Sequence, residues 1–197
     1  MRILALADVE SKILYDHFEP GMFDEYDLII GCGDLHRNYM EFIATMSKVP
    51  FIYVRGNHDD GFDYEAPGGC ICIEDTVYEY KGVRFLGLGG SNRYRPGGMN
   101  MFTEKEMAAR IKKLRFLLWR KRGFDVLVTH APAFGQGDLE TIPHRGFECF
   151  LSLMDKYKPK MMIHGHVHLN YGAGMKSERQ YNETTIVNAF EKRVIEI

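Results

Sequence analysis

A chain of 197 residues, 45% apolar and 26% charged, has the make-up of a globular protein. It has the length for one domain, residues 1–197, with a sizeable core. Its net charge of −2 gives no overall drive toward nucleic acid or an anionic membrane. The basic cluster from Lys105 to Arg122 has helical spacing and reads as a solvated face. No apolar stretch approaches the ~20 residues that span a bilayer. The N-terminal apolar run stops at Asp8, too soon for a signal peptide. Cys32, Cys70, Cys72 and Cys149 show neither zinc-ribbon nor Cys-x-x-Cys spacing. The expectation is a cytoplasmic protein with reduced thiols.

Ile3 to Ala7 is a short apolar run suited to a strand buried on both faces, and it ends in Asp8-Val9-Glu10. Residues 11–19 have helical spacing, with Ile13, Leu14 and Phe18 on one side, and Pro20-Gly21 ends them. A second run, Leu28 to Ile30, leads into Gly31-Cys32-Gly33-Asp34, where glycine permits a sharp turn and a close approach. A helix is expected over 36–47, with Tyr39, Phe42, Ile43 and Met46 on one face. The strand Phe51 to Val54 then delivers Arg55-Gly56-Asn57-His58-Asp59.

Residues 61–69 read as loop. Cys70 to Ile73 and Val77 to Tyr80 are short strands, and Lys81-Gly82 turns into Val83 to Leu88 as an antiparallel hairpin. Gly89 to Met101 is a glycine-rich loop carrying arginine. Thr103 and Glu106 fit a capping box, opening a helix to about Arg122 with Gly123 at its end. Phe124 to Val128 is a strand leading to Thr129-His130-Ala131-Pro132; a loop (133–146) and a helix (147–157) follow. The strand Met161 to Ile163 runs into His164-Gly165-His166-Val167-His168, and the tail holds strands Thr184–Asn188 and Arg193–Ile197 around a turn near Glu191-Lys192.

Five apolar strands are thus each followed by a residue able to bind metal: Asp8, Asp34, Asn57, His130 and the pair His166/His168. Ligands of α/β sheets bind beyond the carboxyl ends of strands, so these side chains are expected at one edge. Carboxylates, an amide oxygen and imidazoles suit a mixed nitrogen–oxygen site for a first-row divalent ion.

The motifs Asp8-Val9-Glu10, Gly33-Asp34, Gly56-Asn57-His58-Asp59, Thr129-His130-Ala131-Pro132 and Gly165-His166-Val167-His168 resemble those of the calcineurin-like metallophosphoesterase superfamily. The likeness extends over nearly the whole chain. It implies an α/β fold of two mixed β-sheets packed as a sandwich and flanked by α-helices. It also implies two divalent ions, Mn²⁺ foremost with Fe²⁺, Mg²⁺, Zn²⁺ or Ni²⁺ as alternatives. Asp8, Glu10, Asp34 and His168 would hold the first ion, and Asp34, Asn57, His130 and His166 the second. Ions ~3.5–4 Å apart can hold one hydroxide between them for in-line attack on phosphorus. His58 would stabilise the transition state or protonate the leaving oxygen, and Asp59 would orient His58.

The first motif of that family usually reads Asp-x-His, and here Glu10 stands in the histidine's place. Three carboxylates and a hydroxide neutralise two divalent ions, where a histidine would leave one positive charge. This expectation favours harder ions over Zn²⁺ at the first site; the alternative is a Glu10 that does not ligate and a first site that is weak. Asp34 is followed by Leu35-His36-Arg37-Asn38, unlike the Val-Asp-Arg-Gly run of Ser/Thr phosphatases. The expected substrate is a small phosphoester or nucleotide-like molecule, monoester or diester, with no strong case for duplex nucleic acid. Arg93, His144 and Arg145 are the candidate substrate contacts, arginine having bidentate phosphate geometry. His164 reads as a core or supporting histidine, and His17 and His36 as surface residues. The competing class is a non-catalytic interaction scaffold on the same fold.

Overall fold

The computed structural model describes residues 1–171 and 175–197. The first sheet comprises β1 (Arg2–Ala7), β2 (Leu28–Cys32), β3 (Phe51–Val54), β4 (Cys70–Cys72) and β13 (Glu191–Glu196), in the order β13-β1-β2-β3-β4. The second comprises β5 (Val77–Tyr80), β6 (Val83–Leu88), β9 (Val126–Thr129), β10 (Met161–His164), β11 (Glu178–Tyr181) and β12 (Thr184–Asn188), in the order β11-β12-β10-β9-β6-β5. In both sheets the central strands run parallel and antiparallel strands lie at edges. Two short strands, β7 (Ser91–Asn92) and β8 (Met101–Phe102), pair by themselves.

Alternation along each strand divides the core into layers. Ile3, Ala5, Ile30 and Val54 from the first sheet meet Phe85, Val126, Val128 and Ile163 from the second. The opposite faces bury against helices. Leu4, Leu6 and Ile29 pack on Tyr39, Met40 and Ile43 of α1 (Arg37–Met46). Leu86, Leu127 and Met162 pack on α2 (Glu104–Lys113), α3 (Arg115–Lys121) and α4 (Glu148–Tyr157). Both faces of each central strand are therefore dry, which is why these strands read as continuous apolar runs. The expected sandwich of mixed sheets flanked by helices is the observed architecture. No helix among the described residues is long and apolar enough to cross a membrane.

Three local expectations are corrected. Residues 11–19 form turns: Leu14 and Tyr15 N–H both donate to the Ser11 carbonyl, and no named helix results. Pro20 has no N–H for the Asp16 carbonyl, and packing decides the local shape, with Tyr15 and Phe18 set edge-on to Phe42 of α1. The helix opened by the Thr103/Glu106 capping box breaks at Leu114, whose N–H reaches back to Ile111; Met107 on α2 and Leu118 on α3 stay buried. Arg122 is the left-handed C-cap of α3, and Gly123 follows it at C′ with φ 87°, where the sequence put it. The two tail strands belong to different sheets, the crossing lies at Ala189-Phe190, and β11 is an additional strand beside β12.

Phe85 is fully buried between the sheets. Phe85→Ala is expected to lower unfolding free energy by about 3–5 kcal/mol, measured by urea denaturation, with unchanged far-UV circular dichroism.

Candidate functional site

The carboxyl ends of β1, β2 and β3 in one sheet and of β9 and β10 in the other release the candidate ligands along one edge. Asp8, Asp34 and His166 each adopt a left-handed backbone, with φ of 65°, 56° and 67°. Side chains with a Cβ rarely take that conformation, and here it reverses the chain within two residues of each strand end. Asp8 N–H donates to the Gly33 carbonyl (3.1 Å) and Gly165 N–H to the His130 carbonyl (3.0 Å), lashing adjacent turns together.

Glycine is required at two of these turns for different reasons. Gly33 has φ +89°, and a Cβ there would also lie 2.6 Å from His130 Nδ1. Gly56 needs no special dihedral, but a Cβ on it would fall 1.9 Å from Asp34 Oδ1. The β2 and β3 turns are thus in direct backbone contact.

Asp34 Oδ2 lies 3.3 Å from His130 Nε2, and Asn57 Oδ1 lies 3.1 Å from the same nitrogen. Asp34, His130 and His166 each offer a ligand atom within 4.8 Å of the others. Both rings are oriented from behind. His130 Nδ1 sits 2.8 Å from the Cys32 carbonyl and His166 Nε2 sits 2.7 Å from the Pro143 carbonyl. A carbonyl only accepts, so those nitrogens carry the protons; His130 Nε2 and His166 Nδ1 are left for the cluster.

Electrostatics describe a place suited to a cation. Burial drives the Asp8 carboxyl up to about 7, with only partial relief from His130. Burial and then the Asp34 charge push Asp59 to about 6. Burial disfavours a charged His130, yet Asp34's charge and hydrogen bond raise it to about 9. Burial and His130 lower His166 to about 3, so that ring is neutral and its lone pair is available. Buried carboxylates, an amide oxygen and two oriented imidazoles fit a first-row divalent ion held by nitrogen and oxygen.

The sequence model of calcineurin-like phosphoesterases matches residues 1–170. The chain belongs to the calcineurin-like phosphoesterase family. It is 25% identical to the UPF0046 protein C25E10.12 of Caenorhabditis elegans, over 96% of this chain and 74% of that protein. It is 26% identical to the UPF0046 protein K07C11.7 of the same organism, over 83% of this chain and 62% of that protein. Among solved structures, TT1561 of Thermus thermophilus has a TM-score of 0.61 at 14% identity, covering 96% of this chain and 89% of its own. A putative 5′-nucleotidase from Staphylococcus aureus, solved with alpha-ketoglutarate, has a TM-score of 0.53 at 13% identity, covering 95% and 48%. These two likenesses are of fold.

Within this family frame, the remaining expected residues fall into distinct places. Both Asp8 carboxylate oxygens accept from His166 N–H at 2.9 Å. The His168 ring stacks on Tyr171 (4.7 Å, 16°) and tilts against Phe190 (4.6 Å), outside the Asp34–His130–His166 group. Glu10 is half-exposed, and its carboxylate has no hydrogen-bond partner among the described residues. His58 N–H donates to Asp34 Oδ1 (2.8 Å), while its exposed side chain borders a cavity of about 280 Å³ shared with His36, Arg37 and Phe62.

Asp59 Oδ2 accepts from the backbone N–H of Gly56 (2.7 Å) and Asp34 (2.9 Å), so this oxygen braces the two loops. His144 lies 5.2 Å, ring to ring, from both His166 and Tyr171. Arg145 sits over Phe134 (4.8 Å) in a separate cavity of about 370 Å³. Arg93 is engaged by Glu106 and the Met101 carbonyl, both at 3.1 Å, and so steadies the start of α2. His164 is buried, which lowers it to about 4, and His17 and His36 are exposed, as their patterns suggested. Sequence reasoning missed Tyr171 and Phe190, which flank His168, and the Cys32 and Pro143 carbonyls; only Tyr171, three residues beyond His168, left a local signal.

Asp59→Ala strands two backbone N–H groups, that of Gly56 buried and that of Asp34 partly so. A loss of about 2 kcal/mol or more is expected in urea unfolding, together with weaker Mn²⁺ binding by calorimetry. Asp59→Asn, which keeps an accepting oxygen, is expected to recover most of both.

Proposed function

We infer that this chain hydrolyses a small phosphoester, monoester or diester, of nucleotide-like size, as a single calcineurin-like domain over residues 1–197. The observation that carries this reading is the convergence of Asp34, Asn57, His130 and His166, with the far nitrogens of both rings held by carbonyls. Those four residues would hold one divalent ion; Asp8, Glu10 and His168, with Asp34 shared, would hold another. Mn²⁺ is the first choice, ahead of Fe²⁺, Mg²⁺, Zn²⁺ or Ni²⁺, because the donor set is rich in hard oxygen ligands. Such ions supply Lewis acidity that polarises a phosphoryl group and activates water.

The protein's own part is positioning and proton transfer. Asp34 Oδ1, through the His58 N–H, fixes where the His58 side chain leaves the backbone. His58 gives its proton to the departing ester oxygen as the phosphorus–oxygen bond breaks, so the leaving group departs neutral. Asp59 keeps Gly56 against Asp34 and thereby keeps His58 at the edge of the cluster. The cavity beside His58 supports a substrate of modest size. His144 would border the phosphoester from the His166 side, with Arg145 next to it, and Arg93 would act only by giving up Glu106.

The test is turnover of bis-p-nitrophenyl phosphate and p-nitrophenyl phosphate with Mn²⁺. His58→Ala is expected to lower kcat about 10²–10⁴-fold while the bound Mn²⁺ per chain stays the same. No turnover by the wild-type protein on these or on a wider phosphoester panel overturns the reading in favour of the interaction scaffold.

The two ion sites are expected to differ. Donors of the His130/His166 site already converge, whereas Asp8 is engaged by His166 N–H and His168 by aromatic stacking. Calorimetric titration should therefore show two unequal equivalents, the weaker one selectively lost in Glu10→Gln. A single equivalent in the wild-type protein overturns the two-ion arrangement.

A further inference from the structure

The helical flank formed by α2 and α3 carries a feature that phosphoester hydrolysis does not use. Eight of the chain's 25 Lys and Arg residues lie between Glu104 and Arg122, against two acids, which leaves the rest of the chain strongly net negative. Lys112, Lys113, Arg115 and Arg120 are exposed and make no ion pair among the described residues. Both acids face elsewhere: Glu106 closes the α2 cap and holds Arg93, and Glu104 accepts the N–H groups of Glu148 and Cys149 at the start of α4.

Among these cations stand two large aromatic rings. Phe116 is 70% exposed and Trp119 is 74% exposed. Their centroids are 5.8 Å apart at 32°, so the two rings form one apolar knob. The adjoining cleft between α2, α3 and α4, about 310 Å³, adds Ile111 and Leu153 beneath a rim that includes Lys156. A solvated face would account for the cations but not for the knob, since exposed apolar patches rimmed by charge mark docking surfaces.

We propose that this flank docks on an anionic lipid surface, with Phe116 and Trp119 entering the headgroup region and the surrounding Lys and Arg side chains meeting lipid phosphates and carboxylates. Charge decides among occupants. A second copy of this chain placed face to face would bring two basic patches together. A single-stranded nucleic acid would need its bases seated in a charged groove, whereas the ring pair stands outside the cleft. Amphipathic Trp beside Phe and basic residues suits the membrane–water interface. The net negative remainder of the chain would be repelled by the same surface, which sets one orientation. α3 runs into the amino end of β9, whereas the candidate ligands leave the carboxyl ends. Docking would therefore leave the site edge facing away from the lipid.

Trp119 is the only tryptophan in the chain, so its emission reports this contact directly. The full chain is titrated with vesicles of equal parts phosphatidylserine and phosphatidylcholine, and with phosphatidylcholine alone. Expected are a blue-shifted, brighter Trp119 emission and vesicle co-flotation with the anionic vesicles only, both reversed by high salt. Lys112→Ala with Lys113→Ala should weaken vesicle affinity about twenty-five-fold, at about fivefold per basic residue removed. Phe116→Ala with Trp119→Ala should abolish co-flotation while leaving circular dichroism and thermal unfolding unchanged. The proposal is overturned by no emission change and no co-flotation, by equal binding to neutral vesicles, by a concentration-dependent dimer that buries Trp119, or by preferential binding of a single-stranded oligonucleotide.

Discussion

One carboxylate oxygen, Asp59 Oδ2, holds the two central turns of the first sheet together by accepting the N–H groups of Asp34 and Gly56. The approach it secures is tight enough that no side chain fits on Gly56. Asp34 depends on it, because its left-handed backbone would otherwise have little to offset the strain. His58 depends on it at one remove, since its N–H is held by Asp34 Oδ1. His130 depends on it too, because Asp34 supplies the charge that faces its Nε2. A buried acceptor serving two backbone donors is worth more than an exposed ion pair, for its loss leaves both donors without a partner.

This dependence alters the meaning of the Gly56-Asn57-His58-Asp59 motif. The spacing suggests a self-contained turn in which Asp59 serves its neighbour His58. In the folded chain Asp59 Oδ2 serves backbone beyond two strands, and the motif is a joint between β2 and β3. His58 is exposed, whereas Asp59 beside it is buried.

The strands were legible because burial on both faces writes a continuous apolar run, and the five strand ends were legible because each run is followed by a residue able to bind metal. The α2 capping box was legible for the same local reason. Structure carried by the backbone was not. The Cys32 and Pro143 carbonyls that set the two imidazole tautomers belong to residue types that give no hint of the role. The left-handed turns at Asp8, Asp34 and His166 fall on residues other than glycine. The tail misled because alternation defines a strand without naming its sheet: β12 and β13 are adjacent in sequence and lie in different layers. Residues 11–19 have helical spacing, yet Pro20 and the aromatic cluster around Phe42 outweigh it.

The ligand candidates are also divided between the layers. Asp8, Asp34 and Asn57 leave strands of the first sheet, and His130, His166 and His168 leave strands of the second. Away from the edge, apolar side chains such as Phe85 and Val128 join the sheets without directional preference. At the edge, the direct contacts between layers include His166 N–H on Asp8 and His130 on Asp34 and Asn57, all of them polar and directional. A cation shared by Asp34 and His130 would therefore cross-link the two sheets where apolar packing ends. Its binding energy would add to folding energy, since the unfolded chain cannot assemble donors from residues 34, 57, 130 and 166. The geometry that gathers these donors would thus make the edge of the sandwich the place where cation binding and sheet packing are one equilibrium.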